Sequence, residues 1–158
     1  LGYETMRRRS ELCQFRFEDL IESPKRGPSI RLVRSKTDQE GASRLIPISK
    51  ESFSVIQSWQ NIADISGAIL RSVDRHGKIG NHLNPGSIGL IINSLYSSCD
   101  CHDSAQLFSG HSFRVGTALD LLEAGASLEL IMLRGGWRSS DNAMGYLRNW
   151  RQPAVSLN

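Results

Sequence analysis

The sequence is poor in cysteine, in aromatic residues and in long apolar runs. Its three cysteines, Cys13, Cys99 and Cys101, cannot form a closed disulfide framework. Aromatic residues make up 7% of the chain, and no apolar run approaches the roughly 18 residues that a membrane-spanning helix needs. These deficits argue against a disulfide-stapled secreted domain and against an integral membrane protein. We therefore expect a globular protein of the reducing cytoplasm.

Lysine is also scarce. Only four of the nineteen basic residues are lysines, and the other fifteen are arginines. The net charge of +3 arises in residues 1–50, which carry eleven basic and seven acidic residues. Because the guanidinium group binds phosphate oxygens in pairs, this distribution favours a phosphate-bearing partner. A solvated basic surface would explain the charge balance equally well.

The length of 158 residues suits one domain. Apolar spacing and turn residues predict helices over 4–15 and 50–65, a helix entered at 84–87, and several helices after residue 109. Short β-favouring runs at 17–21, 29–34 and 44–48 predict one small antiparallel sheet, with Lys36 near the tip of a hairpin. The predicted fold class is mixed α+β, predominantly helical, in a single domain covering residues 1–158.

His111 and Arg114 lie three positions apart at the start of one predicted helix. Both side chains therefore share a face at the helix N-terminus, where free backbone N–H groups and the helix dipole favour an anion. This layout is typical of a phosphate site. A capping histidine beside a surface arginine would produce the same pair of residues, so the pair alone leaves both interpretations open.

Several motifs together resemble the catalytic half of the tyrosine recombinases, the phage integrase family. Arg114 and Trp137, the latter after a glycine pair, stand in the order and spacing typical of that family, and Tyr146 follows them. Upstream, Arg8 stands three residues before Glu11, and Lys36 occupies the place of a hairpin lysine between two strands. The resemblance covers nearly the whole chain and is loosest over 52–107. It implies the integrase catalytic fold.

The chemistry that this resemblance implies needs positive charge, because cleaving a phosphodiester builds negative charge on its oxygens. The sequence contains no clustered carboxylates of the kind that hold magnesium. Arg8 and Arg114 are therefore expected to bind the non-bridging oxygens of a DNA phosphate, and the indole N–H of Trp137 can add a neutral donor. Neither a metal nor a cofactor is expected.

Tyr146 is the expected nucleophile. Phenol has a pKa of about 10, so it needs a base or a strongly positive site at neutral pH. The expected base is His111, and the expected general acid for the departing 5′ oxygen is Lys36. Glu11 is expected to steady Arg8 or His111 by a charge-assisted hydrogen bond. The resulting intermediate would be a 3′-phosphotyrosyl bond with a free 5′-OH.

The family resemblance also implies a partner and an assembly. It implies site-specific recombination or integration of double-stranded DNA, by strand exchange and religation in a homotetramer of the full-length protein. It further implies a bacterial, phage or plasmid origin and an N-terminal DNA-clamping domain that would precede Leu1. Two alternatives stay open, namely a nicking-closing activity like that of type IB topoisomerases and a catalytically inactive DNA-binding module.

Some positions depart from the family pattern or leave it ambiguous. Met6 stands where glycine is frequent, and Trp137 stands where many relatives carry histidine. Residues 7–9 are all arginine, so only the spacing to Glu11 selects Arg8, and an offset of one residue would select Arg7. The cysteine pair at 99 and 101, followed by a histidine, is too closely spaced for a typical zinc site.

Overall fold

The computed structural model describes residues 1–33, 44–99 and 108–150. These residues form seven α-helices, one 3-10 turn at Phe17–Asp19 and one sheet. The helices are α1 (Gly2–Thr5), α2 (Arg9–Leu12), α3 (Lys50–Ala63), α4 (Ser87–Ser97), α5 (Ser112–Glu123), α6 (Leu128–Gly135) and α7 (Ser140–Trp150). No helix in these ranges has both the length and the apolar character to cross a membrane. The predicted α+β, mostly helical class is confirmed.

The single N-terminal helix predicted over 4–15 is wrong. The chain breaks at Met6, whose backbone is left-handed with φ 54°, so that α1 ends before it and α2 begins after Arg8. Met6 is fully buried, and we infer that its packing offsets the strain of that conformation, about 1–2 kcal/mol for a residue other than glycine. Methionine is a good helix former, so spacing and propensity gave no sign of the break.

The sheet has the order β1-β2-β3 and is antiparallel throughout, as predicted. Its strands are β1 (Leu20–Ser23), β2 (Gly27–Leu32) and β3 (Arg44–Pro47). The register pairs Ile30 with Ile46, and both side chains are buried. The predicted first strand at 17–21 is displaced, because residues 17–19 form the 3-10 turn. The predicted hairpin tip with Lys36 lies outside the described residues.

Two apolar clusters make up the core. The sheet cluster joins the sheet to α3, α4 and the segments between them, through Leu12, Phe15, Phe17, Ile30, Leu32, Ile46, Ile48, Phe53, Ile56, Ile69, Leu83 and Ile88. The helix cluster joins the turn between α1 and α2 to α5, α6 and α7, through Met6, Ala118, Ile131, Trp137, Ala143 and Leu147. The residues predicted to bind phosphate all lie on the elements of the helix cluster or directly beside them.

Candidate active site

The start of α5 positions His111 and Arg114. His111 is the N-cap residue, and its backbone N–H donates to the hydroxyl of Ser109 at 3.2 Å. One turn further, Val115 and Ala118 are buried in the core. Arg114 precedes them on the same inward side and is only 4% exposed. The helix therefore carries a charged side chain into the interior close to its own positive end.

Arg114 is the most distinctive side chain of the site. Its Nε and Nη2 atoms are buried and have no hydrogen-bond partner within the described residues. Its guanidinium carbon lies 4.2 Å from the centroid of the Trp137 ring, a cation–π contact. Burial, followed by the charges of Arg8 and Arg7, lowers the pKa of Arg114 to about 10. The group is still protonated at neutral pH, so it offers two dry donors to an anion.

Two glycines at the end of α6 bring Trp137 to Arg114. Gly136 ends the helix in the left-handed conformation, with φ 71°, and its N–H donates to the carbonyl of Met132 at 2.8 Å. The indole ring folds back over Gly135, where an added Cβ would lie 2.1 Å from Cζ3 of Trp137. Glycine is therefore required at both positions, once for the turn and once for the close approach.

Tyr146 lies on α7 at the edge of the helix cluster. Ala143 and Leu147 anchor α7 in the core, whereas Tyr146 is 42% exposed. The centroid of its ring lies 6.0 Å from that of His111 and 6.2 Å from that of Trp137. The phenol is therefore accessible from outside and stands beside both the expected base and the indole that contacts Arg114.

The electrostatic surroundings keep His111 neutral. Burial and the positive charges of Arg114, Arg8 and Arg9 lower the pKa of His111 below its ordinary value of 6.5. A neutral imidazole at pH 7 has a free lone pair, so it can accept a proton from a neighbouring hydroxyl.

Arg8 and Glu11 form an ion pair whose charges act on Arg114. The Glu11 carboxylate accepts from the backbone N–H of Arg8 at 3.0 Å and from its guanidinium Nη1 at 3.4 Å. Glu11 is 3% exposed, and its charge acts to raise the pKa of both Arg114 and Arg7 against the effect of burial. One buried carboxylate thus steadies a group of guanidinium ions that would otherwise repel one another.

The geometry favours Arg8 over Arg7 for contact with phosphate. The Arg7 side chain is buried, and it donates from Nε to the carbonyl of Thr5 at 2.7 Å and from Nη2 to the carbonyl of Arg134. Arg8 instead keeps 29% of its side chain exposed. The consecutive arginines were visible in the sequence, but their separate directions follow from the break at Met6.

Sequence reasoning missed Arg9 as a member of this region. Its stem packs over Gly110, where an added Cβ would lie 2.8 Å from Cδ of Arg9, directly before His111. Lys36 lies outside the described residues, so its role as general acid stays a prediction. Cys101 and His102, for which no metal site was expected, also lie outside them. Within the parts of the chain that are described, no three His, Cys, Asp or Glu side chains cluster in a way that could hold a metal ion.

Comparison with known proteins identifies the family. The family profile described as "Phage integrase family" matches residues 1–152. The chain belongs to the phage integrase family. It is 26% identical over 164 aligned positions to the Cre recombinase of Escherichia phage P1. That alignment covers 94% of this chain and 47% of Cre. It is 32% identical over 126 positions to an integrase/recombinase XerD homologue of Selenomonas ruminantium, covering 75% of this chain and 36% of that protein.

Solved structures of a recombinase and an integrase share this fold. XerA recombinase superimposes with a TM-score of 0.69 at 17% identity, over 92% of this chain and 48% of XerA. A dimer of lambda integrase residues 75–356 bound to a COC′ core site gives a TM-score of 0.65 at 16% identity, over 99% of this chain and 53% of the chain in that structure. The family profile and the two sequence relatives confirm the predicted membership of the tyrosine recombinases. The chain spans about half the length of these relatives, or less.

Proposed function

We propose that residues 1–158 act as the catalytic domain of a site-specific DNA recombinase or integrase that cleaves double-stranded DNA through Tyr146. The phenol oxygen attacks the scissile phosphorus, the bond from phosphorus to the 5′ oxygen breaks, and a 3′-phosphotyrosyl bond and a 5′-OH result. The observation that carries this proposal is the buried, unpartnered pair of nitrogens on Arg114. They lie beside Trp137, whose ring is next to Tyr146, so an oxyanion bound to them would lie close to the phenol.

Arg114 and Arg8 supply the fixed positive charge of this reaction. The attack transfers negative charge to the non-bridging oxygens, and donors already held in a dry site need no reorganisation to receive it. Arg114 would donate from Nε and Nη2, while Arg8 would use the donors that do not face Glu11. Removing one such donor typically lowers a rate by about 10²–10³-fold.

Proton transfer completes the step. His111, neutral at pH 7 because its pKa is lowered, takes the proton of the phenol. Lys36, assigned from the family resemblance, gives a proton to the departing 5′ oxygen. The phosphotyrosyl bond retains the energy of the phosphodiester, so a 5′-OH can attack it in the reverse direction without ATP. Religation to the 5′ end of a second DNA strand is strand exchange.

The proposed biological setting follows the family. We place strand exchange in a homotetramer of the full-length protein on DNA, in the cytoplasm of a bacterial cell. The relatives that support this setting come from a phage and from a bacterium. The target sequence is read by groove contacts that phosphate binding does not specify.

A nicked suicide substrate tests the chemistry. Cleavage near the nick releases a short strand that cannot religate, so we expect a protein–DNA band that resists SDS. Tyr146→Phe should abolish that band. Tyr96→Phe is the matched control, because the ring of Tyr96 packs edge-on against Phe108 with centroids 4.8 Å apart, and phenylalanine keeps that contact.

Two outcomes would redirect the proposal. DNA binding by the unmodified chain without any covalent product would indicate a non-catalytic module. A covalent product that relaxes supercoils but never gives recombinants, even in the full-length protein, would indicate a nicking-closing enzyme.

A further inference from the structure

Arg7 is a buried cation that the proposed reaction does not use. It is 3% exposed, and its guanidinium donates to two main-chain carbonyls, those of Thr5 and Arg134. Thr5 is the last residue of α1. Arg134 is in the last turn of α6, 127 positions after Arg7 in the chain. One side chain therefore bridges two segments that are distant in the sequence.

Each of these segments carries a residue of the candidate site. The first leads through Met6 into Arg8, and the second leads through the glycine pair into Trp137. The guanidinium also lies against the second turn itself, since a Cβ added at Gly136 would lie 3.0 Å from Nη1 of Arg7. A cation at this place is favourable because the last carbonyls of α6 carry the negative end of the helix dipole.

We propose that Arg7 is a positioning residue that ties the turn before Arg8 to the turn before Trp137, and so holds the indole between Arg114 and Tyr146. A planar guanidinium suits this role because it donates along two directions at once, whereas an ammonium is a single point of charge. The effect of Arg7 on the reaction rests on the proposed function. The link that Arg7 makes between the two turns does not rest on it, and this link can be tested without any DNA.

The charge of Arg7 is compatible with this role. Burial and the nearby charges of Arg44 and Arg8 lower its pKa, while Glu11 acts in the opposite direction. The group thus has a carboxylate to offset part of the desolvation, in addition to its two carbonyls. A buried arginine whose donors bond to main-chain oxygens is arranged to connect backbone segments, and the bonds to Thr5 and Arg134 occupy the Nε and Nη2 donors of Arg7.

The test uses two variants and a spectroscopic signal from Trp137. Arg7→Met removes the charge and the donors at similar length, and Arg7→Lys keeps the charge without the planar fork. Protein labelled with 5-fluorotryptophan gives one fluorine resonance for each of Trp59, Trp137 and Trp150. The resonance that disappears in the Trp137→Phe variant is that of Trp137. We expect both Arg7 variants to shift or broaden the Trp137 resonance and to leave that of Trp59 in place.

The same variants should lower the single-turnover rate of phosphotyrosyl formation by about 10- to 100-fold, as misplacement by an ångström can do. DNA affinity at equilibrium should stay unchanged. Arg26→Met is the matched control, because Arg26 is an exposed arginine in the turn between β1 and β2. It removes the same charge and should leave both the Trp137 resonance and the rate as they were.

Two results would overturn the proposal. One is an unchanged Trp137 resonance in folded Arg7→Met or Arg7→Lys protein. The other is a failure of both variants to fold, which would assign Arg7 to the stability of the whole domain. If the unmodified chain forms no phosphotyrosyl product, the proposed function fails, and the fluorine resonance still decides whether the tie exists.

Discussion

The sheet cluster and the helix cluster differ in the size of their apolar side chains and in the number of polar and charged side chains buried beside them. The sheet cluster consists of large apolar side chains around three strands and α3. The helix cluster is smaller and includes two alanines. Seven polar or charged side chains are buried in the described residues, and five of them lie on or beside the elements of the helix cluster, namely Thr5, Arg7, Glu11, Arg114 and Thr117.

We expect this difference to separate stability from the proposed catalysis within one domain. Burying apolar surface stabilises the fold at about 25 cal/mol per Å², whereas burying an unpaired polar group costs about 1–3 kcal/mol. The sheet side therefore supplies the free energy that lets the helix side keep guanidinium groups out of water. Truncating an apolar side chain of the sheet cluster should therefore lower stability and leave the cleavage rate unchanged. Removing the buried guanidinium of Arg114 should lower the cleavage rate without lowering stability.

The largest expected effect is that of Arg114→Met. Loss of the guanidinium should lower the rate of phosphotyrosyl formation about 10³-fold or more. Because two of its nitrogens are buried without a partner, the free energy of unfolding should be unchanged or rise by about 1–3 kcal/mol. Single-turnover cleavage and urea unfolding measure the two quantities. A clear loss of stability would show that Arg114 also holds the fold together.

Phe15→Ala tests the other region. Phe15 is almost fully buried in the sheet cluster, so its truncation should lower the free energy of unfolding by about 3–5 kcal/mol. The cleavage rate of the protein that remains folded should be unaltered. Ile62→Ala is the control, since Ile62 is exposed on α3 and its loss should stay within about 0.5 kcal/mol. A folded Phe15→Ala protein with a collapsed cleavage rate would contradict the separation.

Gly135→Ala should damage the site through its packing. The added methyl group overlaps the indole of Trp137, so we expect a loss of stability of about 1–3 kcal/mol and a displaced Trp137. Gly125→Ala is a matched control, because Gly125 has φ 80° but an added Cβ would have no neighbour. It should cost only the backbone strain of about 1–2 kcal/mol. Urea unfolding measures both losses, and tryptophan fluorescence distinguishes the variants, because only Gly135→Ala should displace Trp137. Equal spectra would contradict the expectation.

The smallest expected effect is the change in cleavage rate with pH that arises from His111. Its pKa is lowered, so the imidazole stays neutral at pH 7 and becomes protonated only below the ordinary value of about 6.5. Cleavage should be constant near pH 7 and fall toward tenfold per pH unit once the pH is below the lowered pKa. A pH–rate profile measures this, and His111→Gln should be slow at every pH without that acidic limb. An acidic limb that survives in His111→Gln would belong to another group.

Much of the architecture was predictable from local patterns. The apolar spacing of α3, the entry to α4 and the glycine that ends α6 act over one or two helical turns, which is the range of propensity and capping. The break at Met6 was not predictable in this way, because a buried methionine holds a conformation that its own propensity disfavours. The helix cluster around it supplies the compensating packing, and that packing comes from the far end of the chain.

The candidate site was also predictable only in part from the sequence. The order and spacing of its charged and aromatic residues were enough to indicate the family and the chemical type of each group. Only the tertiary structure decided that Arg8 faces outward while Arg7 bonds to the carbonyl of Arg134. It also decided that the Arg114 side chain is buried in contact with the ring of Trp137. Residue types are set locally, whereas burial, direction and pKa depend on which distant segments pack together, and that is a property of the folded chain as a whole.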